Sequence, residues 1–354
     1  MAVLVSLLGE QTHPALILAA MLKERLERVV LLGSAQTRQQ GRHARAAIGL
    51  LAPVPVELRE VAPYDWSAVE EAAGDLAVPG AIWDLTGGTK PMLVGAYRVA
   101  QAKGLPAVYL DTGNQRVVSL TAAPVPLAVP ERLPDVDPVV LLRANGAVVT
   151  HSEPASRLSG ASRAVARWAL RHPDHWRDWV GGRGRGGGRA GAAFAEQLVR
   201  QGLARRTPGG KLVFVDGTEG SLFRGGYWLE RWVADAFLGA GLTVLCDVRC
   251  RMEGDAGPPD GGVQNEFDVV TSRAARLHVV SCKSGKRVEG EHVEAFGNSA
   301  RRVGGRFVRL ALASLAANYQ FLAPRVAAQG MALWGPAELL RLEGQSKQWL
   351  EVAS

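Results

Sequence analysis

Residues 265–283 read N-E-F-D-V-V-T-S-R-A-A-R-L-H-V-V-S-C-K. Both arms of this stretch alternate apolar and polar residues, the pattern of half-buried β-strands. The polar break at 271–276 suits a hairpin connection of modest length. Side chains repeat every second residue on a strand, so Glu266 and Asp268 share one face. Ser281 and Lys283 share a face of the second arm in the same way. Folding the hairpin brings two carboxylates to one ammonium beside an apolar floor. Such a group can hold a hard divalent cation and steady a phosphate. The same pattern also fits an edge strand whose charges discourage aggregation, so the flanks have to decide.

Upstream, residues 225–234 open a helix whose apolar residues Leu229, Val233 and Phe237 recur at helical spacing, with Glu230 beside that stripe. A strand at 242–248 follows, then a Gly/Pro/Asp-rich loop at 253–262. Downstream of Lys283 the pattern predicts a helix at 291–303, a strand at 306–313, a helix at 319–328 and a strand at 331–333. The order α-β-β-β-α-β describes a small mixed sheet with helices on both faces.

The first third has a different rhythm. Strands are expected at 2–8, 29–33, 54–61, 81–85 and 107–111, and helices at 13–27, 38–51, 67–75 and 89–103, with 116–121 pairing back as a hairpin. Repeated β-α-β units with short connections predict a parallel, doubly wound, Rossmann-like α/β sheet. Ligands of such sheets bind outside the carboxyl ends of the strands. Those ends are rich in small and hydroxyl residues here: Gly9-Glu10-Gln11, the 33–37 loop with Ser34 and Thr37, Thr86-Gly87-Gly88-Thr89-Lys90, and Asp111-Thr112-Gly113-Asn114. The loop at 84–92 is the most informative. Gly87 and Gly88 allow close backbone approach, a helix start presents free N–H groups, Thr86 and Thr89 add hydroxyls, and Lys90 adds a charge. This is chemistry for a phosphate, though a tight turn with a Thr cap would use the same residues. The spacing is not that of a Walker A loop, and the absence of G-x-G-x-x-G after the first strand argues against a nicotinamide cofactor.

Between these regions, the proline-rich stretch 122–138 reads as a connector. Residues 139–149 predict a short hairpin around Asn145-Gly146. Helices at 162–170 and 190–201 and a hairpin at 203–215 resemble a small winged-helix module, suited to a spacer, a dimer contact or a nucleic-acid reader. The Arg-Gly segment at 180–189 suits either a contact to nucleic-acid backbone or a flexible charged loop. At 354 residues two domains with a connector are expected. Apolar content of 47% and a mean hydropathy of +0.02 are ordinary for a soluble globular chain. The longest apolar run, at 2–8, is too short to span a bilayer and lacks the features of a signal peptide, so a cytoplasmic protein without membrane association is expected. Three cysteines make no disulfide framework, and Cys246 and Cys250, with no second pair, suit core thiols better than a metal site. A net charge of +7 and a pI near 9.6 favour a polyanionic partner.

An acidic residue on a first helix (Glu230), Asp268 on the second strand and x-x-Lys ending in Lys283 on the third resemble the PD-(D/E)XK nuclease superfamily. Gln11, the Ser34/Thr37 loop and above all the 84–92 segment resemble CARF domains of type III CRISPR systems. Together they resemble the CARF–nuclease effectors that respond to cyclic oligoadenylate, over nearly the whole chain. The resemblance implies a CARF domain at 1–135, a linker and winged-helix-like module at 136–216, and a restriction-endonuclease-like α/β domain at 217–354. It implies a homodimer whose paired CARF domains bind cyclic tetra-adenylate through Gln11, Ser34, Thr37, Thr86, Gly87, Gly88, Thr89 and Lys90. It further implies Mn²⁺- or Mg²⁺-dependent cleavage of single-stranded RNA and DNA, and nicking of supercoiled DNA. In this chemistry Asp268 is the central metal ligand, Glu230 a further one, and Lys283 the charge that orients water. One departure stands out: the family pattern places Asp or Glu two residues before the lysine, and here that residue is Ser281. Glu266, on the face of Asp268, can supply the missing carboxylate; otherwise the domain is a weak or inactive nuclease and the chain a ligand-sensing nucleic-acid-binding regulator.

Overall fold

A computed structural model of the chain describes residues 1–126, 132–182, 189–254, 265–305 and 308–351. The first region runs β1 (Ala2–Leu7), α1 (His13–Leu22), β2 (Leu26–Gly33), α2 (Arg38–Leu51), β3 (Val56–Glu60), α3 (Trp66–Ala73), β4 (Ala81–Asp84), α4 (Lys90–Ala102), β5 (Ala107–Asp111) and β6 (Arg116–Ser119). Its six-stranded sheet has the order β3-β2-β1-β4-β5-β6, with β6 antiparallel and the other pairings parallel. Every residue of β1 and of β4 is buried, as strands covered on both faces require. The chain winds from β1 outward to β3, then returns to β4 on the other side. Its connections therefore diverge between β1 and β4 and leave a crevice at their carboxyl ends. The expected Rossmann-like sheet is thus observed, with α1 shorter than expected because β2 begins at Leu26, where it pairs with Ala2.

The connecting region runs α5 (Pro138–Ala144), β7 (Ala147–Pro154), α6 (Gly160–Arg171), α7 (Pro173–Gly181), α8 (Arg189–Arg200), β8 (Ala204–Arg206) and β9 (Leu212–Phe214). The hairpin expected at 139–149 is instead a helix, a turn and a strand. Asp137 caps α5, its carboxylate accepting from Val139 N at 2.8 Å, and Pro138 occupies the first turn, where its missing N–H costs nothing. The expected helices at 162–170 and 190–201 and the hairpin at 203–215 are present as α6, α8 and the antiparallel pair β8–β9, with α7 as a further helix between them. Residues 183–188 of the Arg-Gly segment, 127–131 of the connector, 255–262 of the Gly/Pro/Asp loop and 306–307 of an expected strand lie outside the described residues.

The last region runs α9 (Tyr227–Gly239), β10 (Val244–Met252), β11 (Asn265–Arg273), β12 (Arg276–Lys283), α10 (Gly290–Gly304), β13 (Arg309–Ser314), α11 (Ala323–Ala328), β14 (Ala332–Trp334) and α12 (Pro336–Glu351). The order α-β-β-β-α-β is as expected, with a further helix at the end. Its six-stranded sheet has the order β14-β13-β12-β11-β10-β7. The strand β7 therefore belongs to this sheet, paired antiparallel with β10, although its residues precede the winged-helix-like helices. The connection between β11 and β12 is tighter than expected. Arg273 pairs with Arg276, and only Ala274 and Ala275 turn the chain, with φ of 50° and 56°. Asp135 holds this turn, accepting from Ala274 N at 2.8 Å and from Arg273 at 3.0 Å.

Apolar packing unites the parts. One buried layer runs from α1 and α2 through Val140 and Leu141 of α5 to Phe267, Leu277 and Val279 of the hairpin. A second, aromatic layer joins Trp176, Trp179, Phe194 and Phe223 to Trp228 and Trp232 of α9. Among the described residues, no helix is long and apolar enough to cross a membrane.

Candidate functional sites at the two sheets

At the second sheet, the paired residues of β11 and β12 run as far as Val269↔Val280. Just past that rung the Asp268 carboxylate accepts from Cys282 N at 2.5 Å and from the Ser281 hydroxyl at 3.1 Å. The Lys283 ammonium stands 3.6 Å from the same oxygen. From the opposite side α9 brings Glu230, whose carboxyl is pushed up to about 8, first by burial and then by the negative charge of Asp268, with Lys283 opposing. The helix α9 packs against both β11 and β12, which puts Glu230 within reach of these two charges. The fold thus puts Glu230 near Asp268 and Lys283, the grouping that the resemblance to PD-(D/E)XK nucleases implied.

Glu266 is placed differently. It is exposed and lines a groove of about 250 Å³ together with Asp268, Ser281, Lys283 and His292 of α10. Asp247 is a further charge acting on Glu230. Asp247 was not singled out from the sequence. The pairs Cys246↔Val269 and Val248↔Phe267 leave it opposite Asp268, and its φ of 46° is left-handed, unusual for a strand residue. The lone Asp within the strand Leu245–Cys250 was the only signal in the sequence. With His151 and Glu153 of β7, Asp247 forms a group whose ligand atoms lie within 4.8 Å of one another. Its members are already engaged: Glu153 with Arg231 at 2.5 Å, and Asp247 with Arg249 at 3.0 Å and His151 at 3.3 Å.

At the first sheet, the loops that follow β1 and β4 meet at the crevice. A Cβ on Gly87 would overlap the Leu7 carbonyl, and Gly88, with φ of 76°, brings its N within 3.2 Å of where a Gly9 Cβ would stand. Buried Asp84 shapes this loop, accepting from the hydroxyls of Ser6 and Thr86, each at 2.6 Å, and from Thr86 N at 3.0 Å. Burial pushes its carboxyl above the usual carboxylate range, against those three hydrogen bonds. The two threonines are therefore engaged within the fold. Thr86 Oγ1 donates to Asp84 and accepts from Leu110 N at 2.8 Å. Thr89 donates to the Pro63 carbonyl and caps α4 by accepting from Met92 N. Gly88 and Lys90 remain exposed at the helix start, with Gln11 half-buried on the neighbouring loop. Ser34 and Thr37 lie one strand further out. Ser34 N donates to Thr37 Oγ1 at 2.9 Å, and the pair opens α2 beside a separate cleft of about 180 Å³.

The two sites are physically joined. Thr12, next to Gln11, donates from Oγ1 to the Ala144 carbonyl at 2.6 Å, at the end of the helix that leads into β7. The far end of the Asp268–Lys283 hairpin reaches the first domain, where Arg276 donates to the Thr112 carbonyl at 3.1 Å.

Residues 218–353 match the family described as "Card1-like, endonuclease domain". No curated protein matches the chain. Among solved structures, protein VC1899 from Vibrio cholerae is 18% identical with a TM-score of 0.82, over 100% of this chain and 99% of its own. Can2 from Sulfobacillus thermosulfidooxidans, solved in complex with cyclic tetra-adenylate, is 19% identical with a TM-score of 0.74, over 99% of this chain and 100% of its own. A type III CRISPR defence DNA nuclease activated by cyclic oligoadenylate is 21% identical with a TM-score of 0.56, over 88% of this chain and 45% of that one. The chain thus has the fold of VC1899 and Can2 from end to end.

Proposed function

We propose that the chain, with the matched endonuclease domain at 218–353, is a nuclease of type III CRISPR antiviral defence that cyclic tetra-adenylate activates. The observation that carries this reading is the convergence of Glu230, Asp268 and Lys283 on a domain matched to an endonuclease family. Can2 binds cyclic tetra-adenylate on the same fold, and the crevice between β1 and β4 offers the ring Gly87, Gly88, Lys90 and the start of α4. Two chains would pair as a homodimer across that crevice, with Gln11, Ser34 and Thr37 towards the bases and riboses. Thr86 and Thr89 would shape the loop and offer lone pairs rather than protons. Such an effector acts in the cytoplasm, on single-stranded RNA and DNA and on supercoiled DNA.

The donor set fits a hard divalent cation such as Mn²⁺ or Mg²⁺. Two crowded carboxylates, one pushed up to about 8 by burial and by the charge of the other, are what such an ion stabilises. Asp268 and Glu230 would hold it, with Glu266 as the further carboxylate in place of Ser281. When bound, the ion polarises the phosphodiester and acidifies water. Lys283 orients the attacking water and offsets negative charge as it develops on the phosphate. Ser281, by donating to Asp268, fixes which oxygen of that carboxylate faces Lys283.

The test incubates the protein with Mn²⁺, single-stranded RNA and plasmid DNA, with and without cyclic tetra-adenylate. Cleavage should need the ligand, vanish in Lys283→Ala and fall at least tenfold in Glu266→Ala. Ligand-dependent binding of nucleic acid with no cleavage in any metal would instead favour the regulator reading, to which Ser281 lends its weight. Undiminished cleavage in Glu266→Ala would remove Glu266 from the metal site.

A further inference from the structure

The winged-helix-like module is docked against the catalytic hairpin rather than tethered beside it. Trp176 Nε1 of α7 donates to the Ser284 carbonyl at 2.7 Å, one residue beyond Lys283. Lys286 lies across Gly181 at the end of the same helix, where any Cβ would overlap it. A cleft of about 970 Å³ opens between α8 and the β8–β9 wing. Its lining includes Lys211 and Arg224, with Arg206 already paired to Glu196, against Asp216 as the one acid among the described lining residues; Phe214 is half-buried there and Trp179 beneath it is buried. Arg224 sits over the Phe214 ring at 5.3 Å.

The cleft and the catalytic hairpin are joined at Gly226, two residues past Arg224, where a Cβ would overlap the Ser284 hydroxyl. The lining of the cleft ends at Arg224, and α9 begins three residues later with Tyr227, whose ring is 63% exposed. Tyr227 and Glu230 are three residues apart on α9 and share one face, about 4.5 Å apart along the axis. A large exposed aromatic one turn from a catalytic carboxylate serves no packing purpose, but a base can stack on it. Cations that track a phosphate backbone, joined to aromatic faces, are the means by which proteins hold single strands without reading sequence. We infer that the wing cleft and Tyr227 form the track for a single-stranded nucleic acid, guiding it from Lys211 and Arg224 past Tyr227 to Glu230, Asp268 and Lys283. This inference rests on the nuclease reading above and adds the path of its substrate.

Two readouts test the track separately from the nuclease reading. The first is fluorescence anisotropy of a labelled 20-mer of deoxythymidine in EDTA, with cyclic tetra-adenylate present, across a salt series. Lys211→Ala/Arg224→Ala should bind at least tenfold more weakly, and its salt slope should fall by about 1.4 for two lost phosphate contacts. Tyr227→Ala should weaken binding about tenfold with an unchanged slope, as loss of one stacked base does. The second readout is hydrolysis of bis(p-nitrophenyl) phosphate with Mn²⁺, a diester too small to use the track. Its rate should be the same in wild type and in these variants, while cutting of the 20-mer falls. Lys211→Glu, at the tip of the wing, serves as a variant that leaves the packed part of the module untouched. Unchanged binding and slope in all variants would overturn the inference, and so would a change in oligomeric mass without a change in strand binding. If wild type hydrolyses neither substrate, the nuclease reading fails, and the anisotropy still decides the track.

Discussion

Glu230 holds its proton up to about pH 8 because burial and the charge of Asp268 both oppose ionisation. Its folded pKa is raised above the unfolded value of 4.5, so its share of stability is fully present below 4.5 and is lost as pH rises through about 8. Metal-free protein should therefore lose thermal stability over that window, and Glu230→Gln should flatten the loss in a melting series. Mn²⁺ capture should release this proton, so apparent affinity should rise by up to about tenfold per pH unit below 8. Calorimetry in buffers of different ionisation enthalpy checks it, and an affinity independent of pH would place Glu230 outside the ion's reach. At this scale much of the site was legible. Residue spacing on one hairpin suggested that Asp268 and Lys283 meet, and the resemblance to PD-(D/E)XK nucleases added Glu230. Asp247 was not legible, because its place opposite Asp268 depends on the register with a strand far from it in sequence. Nor could the sequence tell that Thr86 and Thr89 are engaged by Asp84 and Pro63, since a hydroxyl on a glycine-rich loop looks the same free or bonded.

Elements were read well where periodicity was strong, as in α2, β5 and the alternation of the first five strands and four helices. They were misread where a distant residue supplies the local geometry. Ala274-Ala275 carries none of the glycine or asparagine that a two-residue turn prefers, and Asp135 stabilises it from another domain. Asn145-Gly146 has the strongest hairpin signature in the chain, yet it ends α5 because Asp137 and Pro138 start a helix there. The glycines at 87 and 88 mark a close approach of β4's loop to the end of β1. Gly87→Ala should cost about 1–3 kcal/mol by forcing that loop away from the Leu7 carbonyl. Urea unfolding measures this, and a neutral substitution would show that the loop yields freely.

Across the whole molecule, the two sheets share one buried layer, and sequence order does not follow domain order, since β7 enters the second sheet before the winged-helix-like helices begin. Sequence patterns could not show this, because an edge strand carries the same alternation whichever sheet it joins. Its consequence is a short physical route between the crevice of the first sheet and the second sheet. Thr12 ties the loop of Gln11 to Ala144, and Ala144 leads directly into β7 beside β10. Thr12→Val should keep cyclic tetra-adenylate affinity within about twofold while lowering ligand-stimulated cutting at least tenfold, a loss of about 1.4 kcal/mol of coupling. Paired binding and rate measurements check it, and an equal loss of both would mean that Thr12 only shapes the pocket. The central claim is that a ring held at Lys90 controls chemistry at Lys283. It is tested most directly by the rate of single-strand cutting in Mn²⁺ as cyclic tetra-adenylate is titrated into wild type and Lys90→Glu. Wild type should cut negligibly without the ring, and Lys90→Glu should need at least tenfold more ring for half-activation while reaching the same maximal rate. Equal cutting with and without the ring, or identical titrations of the two proteins, would contradict it.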